Sequence, residues 1–113
     1  YIPPAWALGM SPRHLVGLPF DAVETLGGIY LVKDDQHHRH RLPLVGFEAD
    51  TRLRAGFLEH WNRRQQRVAR SGGRPLRISI HPADHRLLLA DSLRRIIHGN
   101  WKAVSYGQLS ALL

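Results

Sequence analysis

From Leu42 to the end of the chain, short apolar runs alternate with helical patterns, and this alternation restricts the fold more than any other feature. Leu42 to Phe47 has strand character, with Pro43 near its start. Asp50 or Thr51 can cap a helix reaching about Arg70, and Ser71-Gly72-Gly73 supplies the left-handed glycine stop. Leu53, Phe57, Leu58, Trp61 and Val68 lie on one side of that helix, while Arg52, Arg63, Arg64, Arg67 and Arg70 lie mainly on the other, which reads as a solvated face. Pro75 to Ile80 is a second strand, because Leu76, Ile78 and Ile80 alternate with Arg77 and Ser79. A helix is expected from about Ala83 to His98, burying Leu89, Leu93, Ile96 and Ile97 and stopped by Gly99-Asn100. Trp101 to Ser105 fits a last strand and Tyr106 to Leu113 a closing helix. Strand, helix, strand, helix, strand, helix is the order of an α/β fold in which parallel strands alternate with helices, as a sheet or a barrel.

Within that order, His81 stands where a strand hands over to a helix. Pro82 forbids an ordinary ladder bond, and its fixed φ suits a first helical turn. In parallel β/α folds the carboxyl ends of strands carry ligands and chemistry. A histidine there can act as acid, base or metal ligand near neutral pH, or simply hydrogen-bond a turn. Asp84 falls in the first turn of the expected helix, where the helix dipole favours a carboxylate. Glu48 and Asp50 follow the end of the preceding strand.

The earlier residues are less regular. Tyr1-Ile2-Pro3-Pro4-Ala5-Trp6 reads as a strand end running into a stiff loop, since each proline biases its predecessor toward extended geometry. Pro4 and Trp6 could wall a ligand cleft, or Trp6 could merely anchor the loop. Ser11-Pro12 opens a short helix that stops near Pro19. Phe20 to Leu26 and Ile29 to Val32 read as strands separated by Gly27-Gly28. Lys33 to Arg41 holds Asp34, Asp35, His37, His38 and His40 and is the most tempting metal cluster. Its composition is that of a loop, nothing apolar surrounds it to hold ligands, and a solvated hairpin tip is the expectation.

Composition narrows the partners. With 113 residues, 43% of them hydrophobic, the chain can bury a core. It has no Cys, which excludes disulfides, thiolate metal sites and a cysteine nucleophile. No apolar run is long enough to span a bilayer, and no signal peptide is recognisable. The net charge is +7, and all but Lys33 and Lys102 of the 16 basic residues are Arg. That balance raises nucleic acid as a partner. The basic residues are nevertheless spread from Arg13 to Lys102, without a zinc finger, a zipper-linked basic region or an RNA-recognition aromatic motif.

Two stretches together resemble a known family. Ile2-Pro3-Pro4-Ala5-Trp6 looks like a "PPxW" segment, and Ile78-Ser79-Ile80-His81-Pro82-Ala83-Asp84 like a "hydrophobic-x-His-Pro-x-Asp" segment. Both occur in a bacterial branch of the polysaccharide deacetylase superfamily, the NodB homology domain. Gly28-Ile29-Tyr30 and Ala103-Val104-Ser105-Tyr106-Gly107-Gln108-Leu109 are also similar to that branch. The resemblance spans nearly the whole chain but only the later part of the family's domain. It implies that residues 1–113 are a single partial domain, the carboxy-terminal portion of a distorted β/α barrel. It also implies hydrolysis of N- or O-acetyl groups on an acetylated carbohydrate, with a divalent metal, usually zinc, polarising the carbonyl and activating water. His81 matches the family's late histidine, a general acid that protonates the leaving amine or alcohol, with Asp84 the nearest candidate to orient it. The family's early Asp-Asp and His-x-x-x-His segments precede Tyr1. This chain alone is therefore expected to hold no metal and to need the missing amino-terminal half of the barrel. The other reading is a non-catalytic sugar-binding or interaction module that keeps the cleft but lacks the metal site.

Overall fold

The computed structural model describes residue 2 and residues 8–113. The chain passes through a 3-10 turn at Pro12–Gly17 and then strands β1 (Ala22–Thr25), β2 (Gly28–Lys33), β3 (Gln36–His40) and β4 (Leu44–Val45). Helix α1 (Arg52–Ser71), strand β5 (Arg77–Ile78), a 3-10 turn at Asp84–Arg86, and helices α2 (Ala90–Ile97) and α3 (Tyr106–Leu112) follow. The chain forms two compact units, Tyr1–Leu42 with Val104–Leu113, and Pro43–Ala103.

The first unit is an antiparallel sheet in the order β1-β2-β3. Val23 pairs with Tyr30 and Ala22 with Leu31, so the strand period sorts the side chains onto two faces. Val23 and Tyr30 pack with Leu15 of the first 3-10 turn, and Phe20 and Val32 join them. On the other face Ile29 packs with Leu42 and with Leu109 of α3, against Ala22 and Leu31. A capping box between Ser105 and Gln108 starts α3. Gly28 is required where β2 begins: a Cβ there would fall on the His40 carbonyl oxygen, and its φ is +154°.

Lys33 to Arg41 holds the expected exposed hairpin tip, but less of it is loop than its composition suggests. Gln36–His40 is a strand, with His38 opposite Leu31 and His40 opposite Ile29. Only Asp34 and Asp35 turn, both at positive φ (51° and 57°), as a two-residue type I′ hairpin demands. The polar composition reflects an edge strand whose side chains are largely exposed, which is how edges avoid adding further strands.

In the second unit β4 and β5 pair in parallel, Leu44 with Arg77 and Val45 with Ile78, and α1 connects them. The expected strand–helix–strand order is present here. The Arg77 N–H donates to the Pro43 carbonyl and the Ser79 N–H to the Val45 carbonyl, each at 2.9 Å. The core is Val45, Phe47 and Ala49 from the β4 segment with Leu89, Leu93 and Ile96, flanked by Ala55, Leu58, Leu76 and Trp101. Helix α1 starts at Thr51, whose side chain accepts the Arg54 N–H, and ends at Gly72 and Gly73, the latter at φ +57°.

Several expectations from Arg52 to Ser105 differ. The face of α1 turned inward carries Ala55, Leu58, Asn62 and Ala69, leaving Leu53 and Phe57 87% and 66% exposed. The cause is polar: Trp61, Asn62 and Gln65 hydrogen-bond the backbone of β4 and so fix the rotation of the helix. The helix expected from Ala83 begins only at Ala90. The Leu88 N–H donates to the Ala49 carbonyl at 3.3 Å, and Leu87 is extended, so the chain leaves helical geometry there. Leu89, Leu93 and Ile96 are buried as expected, whereas Ile97 is exposed. Trp101 to Ser105 is not a strand. Trp101 lies against the core, and the segment carries the chain from one unit to the other. Among the described residues no helix is long and apolar enough to cross a membrane.

Candidate functional site

His81 and Asp84 come together at the carboxyl end of β5. After Ser79 the chain leaves the β4–β5 ladder, and Pro82 starts a tight turn in which the Asp84 N–H donates to the His81 carbonyl at 3.0 Å. The Asp84 side chain closes the same turn: Oδ2 accepts the His81 N–H at 2.9 Å. This is how a short acidic side chain organises a turn. The His81 ring follows from that backbone, with Nδ1 3.9 Å from the same oxygen. Asp84 is 0% exposed, whereas the His81 side chain is 53% exposed. A buried carboxylate thus stands behind a histidine whose ring is open to solvent.

Asp84 Oδ1 is buried and has no hydrogen-bond partner among the described residues. A buried acceptor left unpaired costs about 1–3 kcal/mol, so turn formation alone is a poor reason to bury this carboxylate. Neighbouring His85 is otherwise engaged. Its Nδ1 lies 2.8 Å from the Pro82 carbonyl and its Nε2 accepts from Arg86 Nε at 2.9 Å. These partners assign the proton to Nδ1 and occupy both ring nitrogens. Of the two histidines, His81 is the one with its ring available.

The carboxylates at the end of β4 have a different partner. Glu48 and Asp50 each lie 3.6 Å from an Arg54 guanidinium nitrogen, all three exposed. Glu48 and Asp50 thus face Arg54, and Asp84 is the carboxylate beside His81.

No known protein family, curated protein or solved structure matches this chain.

Pro4 and Trp6, expected as a cleft wall, lie outside the described residues. His38 and His40 share one face of β3 and line a cavity of about 590 Å³ with Asp21, Lys33 and Tyr106. Tyr106 OH also donates to the buried Glu24 carboxylate. His37 points to the opposite face, its ring centroid 6.1 Å from that of Tyr30. Among the described residues no three His, Asp or Glu side chains converge as a metal ion would require. The described residues therefore offer no centre for the divalent metal that the family resemblance implies. A groove between α1 and α2 was not singled out by sequence. Glu59, Asn62, Arg63, Gln66 and Arg70 recur at helical spacing along it, but Arg95 and Trp101 join them only in three dimensions.

Proposed function

We propose that His81 is the general acid of a carbohydrate deacetylase-like hydrolase, and that this chain is the acid-bearing, carboxy-terminal portion of its β/α barrel. The observation that carries the reading is the pair at the end of β5: an open His81 ring backed by the fully buried Asp84. The parallel β4–β5 pair joined by α1 is consistent with two adjacent barrel strands, whose carboxyl ends are where such folds place their chemistry. The His-Pro-x-Asp resemblance implies the acid role for the same histidine.

In this reading the substrate is an N- or O-acetylated sugar. Water adds to the acetyl carbon, the carbonyl π electrons pass to its oxygen, and a base from the missing half of the barrel takes the water proton, giving a tetrahedral carbon. On its collapse the bond to the sugar nitrogen or oxygen breaks, and the electron pair leaves with that atom. The protonated His81 ring delivers its proton to the same atom, so an amine or alcohol departs instead of a high-energy anion. Asp84 holds the His81 backbone and stands beside Nδ1, which leaves Nε2 as the nitrogen that faces substrate.

The test is acetate release from acetylated chito- and xylo-oligosaccharides by the natural full-length protein and by its His81→Ala variant. A loss of about 10²–10⁴-fold with substrate binding retained is expected. Binding of sugar without any acetate release by the wild type would move the assignment to a non-catalytic sugar-binding module. Unchanged turnover in the variant would remove His81 from the chemistry.

A further inference from the structure

We propose that the groove between α1 and α2 binds a phosphate group, carried by a small phosphomonoester or present as free phosphate. The inference is independent of the reading of His81. The groove encloses about 510 Å³, within the range of about 300–1,000 Å³ common to small-molecule sites. Phe47 and Ile96, both buried, form an apolar part of its lining. Arg63 and Arg70 enter from α1, Arg95 from α2, and Trp101 from the segment beyond α2. Glu59 is the one acidic residue in the described lining, so two positive charges are left uncompensated.

The guanidinium groups, though exposed, have neighbours along the groove. Arg95 Nη2 donates to Ser92 Oγ at 2.8 Å, and Ser92 Oγ donates to Glu59 Oε1 at 3.4 Å. Glu59 Oε2 faces Arg63 Nη2 at 3.9 Å. The Arg70 guanidinium lies over the Trp101 ring, 5.2 Å from its centroid. A hydrogen-bond chain from Arg95 through Ser92 to Glu59 thus links α2 to α1, with the exposed Arg63 beside Glu59 and Arg70 over an indole. Arginine presents planar forks of donors that match phosphate oxygens two at a time. A phosphate dianion matches the two uncompensated charges, and the remaining volume and apolar lining leave room for an organic substituent.

The experiment is calorimetric titration of the purified protein with inorganic phosphate and with glucose 6-phosphate, at constant ionic strength set by chloride. Saturable one-to-one binding is expected. It should weaken about tenfold in Arg63→Gln and in Arg95→Gln, the scale of one charge-assisted hydrogen bond. Arg67→Gln, an exposed change outside the groove lining, should leave binding unaltered. Tighter binding of glucose 6-phosphate would identify a phosphomonoester as the ligand, and equal affinities would identify free phosphate. Absence of saturable binding to both by the wild type would overturn the proposal. So would an equal loss in Arg67→Gln, which would reduce the effect to net charge.

Discussion

The Asn62 side chain exchanges two hydrogen bonds with the backbone of Gly46: Oδ1 accepts the Gly46 N–H at 3.1 Å and Nδ2 donates to the Gly46 carbonyl at 2.7 Å. An amide side chain here does what a neighbouring strand would do. Two residues earlier, Trp61 Nε1 donates to the Leu44 carbonyl at 3.0 Å and Gln65 Oε1 accepts the Leu44 N–H at 3.4 Å. The β4 edge away from β5 is therefore closed by side chains of α1, and its backbone polar groups are paired without a third strand. Asn62 is only 4% exposed, so Asn62→Ala strands both Gly46 groups in a site with little access to water. We expect a loss of about 2–3 kcal/mol in urea denaturation. A change within about 0.5 kcal/mol, the range of ordinary surface substitutions, would show that the edge is not held this way.

Two glycine-to-alanine changes should have opposite signs. At Gly28 the new methyl group meets the His40 backbone at a φ that side chains avoid, and a loss of at least about 2 kcal/mol is expected. Gly56 lies inside α1 with nothing within 4 Å of a new Cβ, so Gly56→Ala should stabilise by about 0.5–1 kcal/mol. Thermal unfolding of the two variants side by side checks both, and a shared sign would contradict the account.

The hairpin between β2 and β3 places two aspartates at positive φ. Replacing Asp34-Asp35 by Asn-Gly supplies the pair that a type I′ turn favours and removes two adjacent like charges. A gain of about 1 kcal/mol is expected in the same unfolding assay. A loss would mean that the aspartates make contacts worth more than the turn strain.

Asp84→Asn separates the structural and chemical roles of the buried carboxylate. The amide keeps the size and can still accept the His81 N–H, so the fold should be retained with a near-native melting temperature. The charge behind the His81 ring is lost. Turnover on an acetylated sugar should fall by about tenfold or more with little change in KM, as expected for a group that positions an acid. Unchanged turnover would leave Asp84 as a turn former only.

Much of the scaffold is legible in the sequence because it follows from local rules. Thr51 and Gly73 bound α1, Gly27 lies in the turn between β1 and β2, and α3 starts at Tyr106. What the sequence concealed depends on partners distant along the chain. The rotation of α1 is set by Asn62 and Gln65 reaching β4, and periodicity in apolar residues instead points to Leu53 and Phe57. The late start of α2 depends on Leu88 bonding Ala49 across the unit. Gln36 to His40 reads as loop by composition, although its pairing with β2 makes it a strand. At the site, the proximity of Asp84 to His81 follows from three-residue spacing, but its complete burial does not. The guanidinium network from Arg95 to Arg63 has no sequence signature, because Ser92 joins two helices.

The most direct test of the general-acid assignment compares two substrates that differ in their need for a proton. In the natural full-length protein, acetate release should be measured from an acetylated sugar and from an aryl acetate with an activated leaving group, for the wild type and His81→Ala. The account predicts a loss of about 10²–10⁴-fold on the sugar and less than about tenfold on the aryl ester, whose leaving group departs without protonation. Equal losses on both substrates would contradict it.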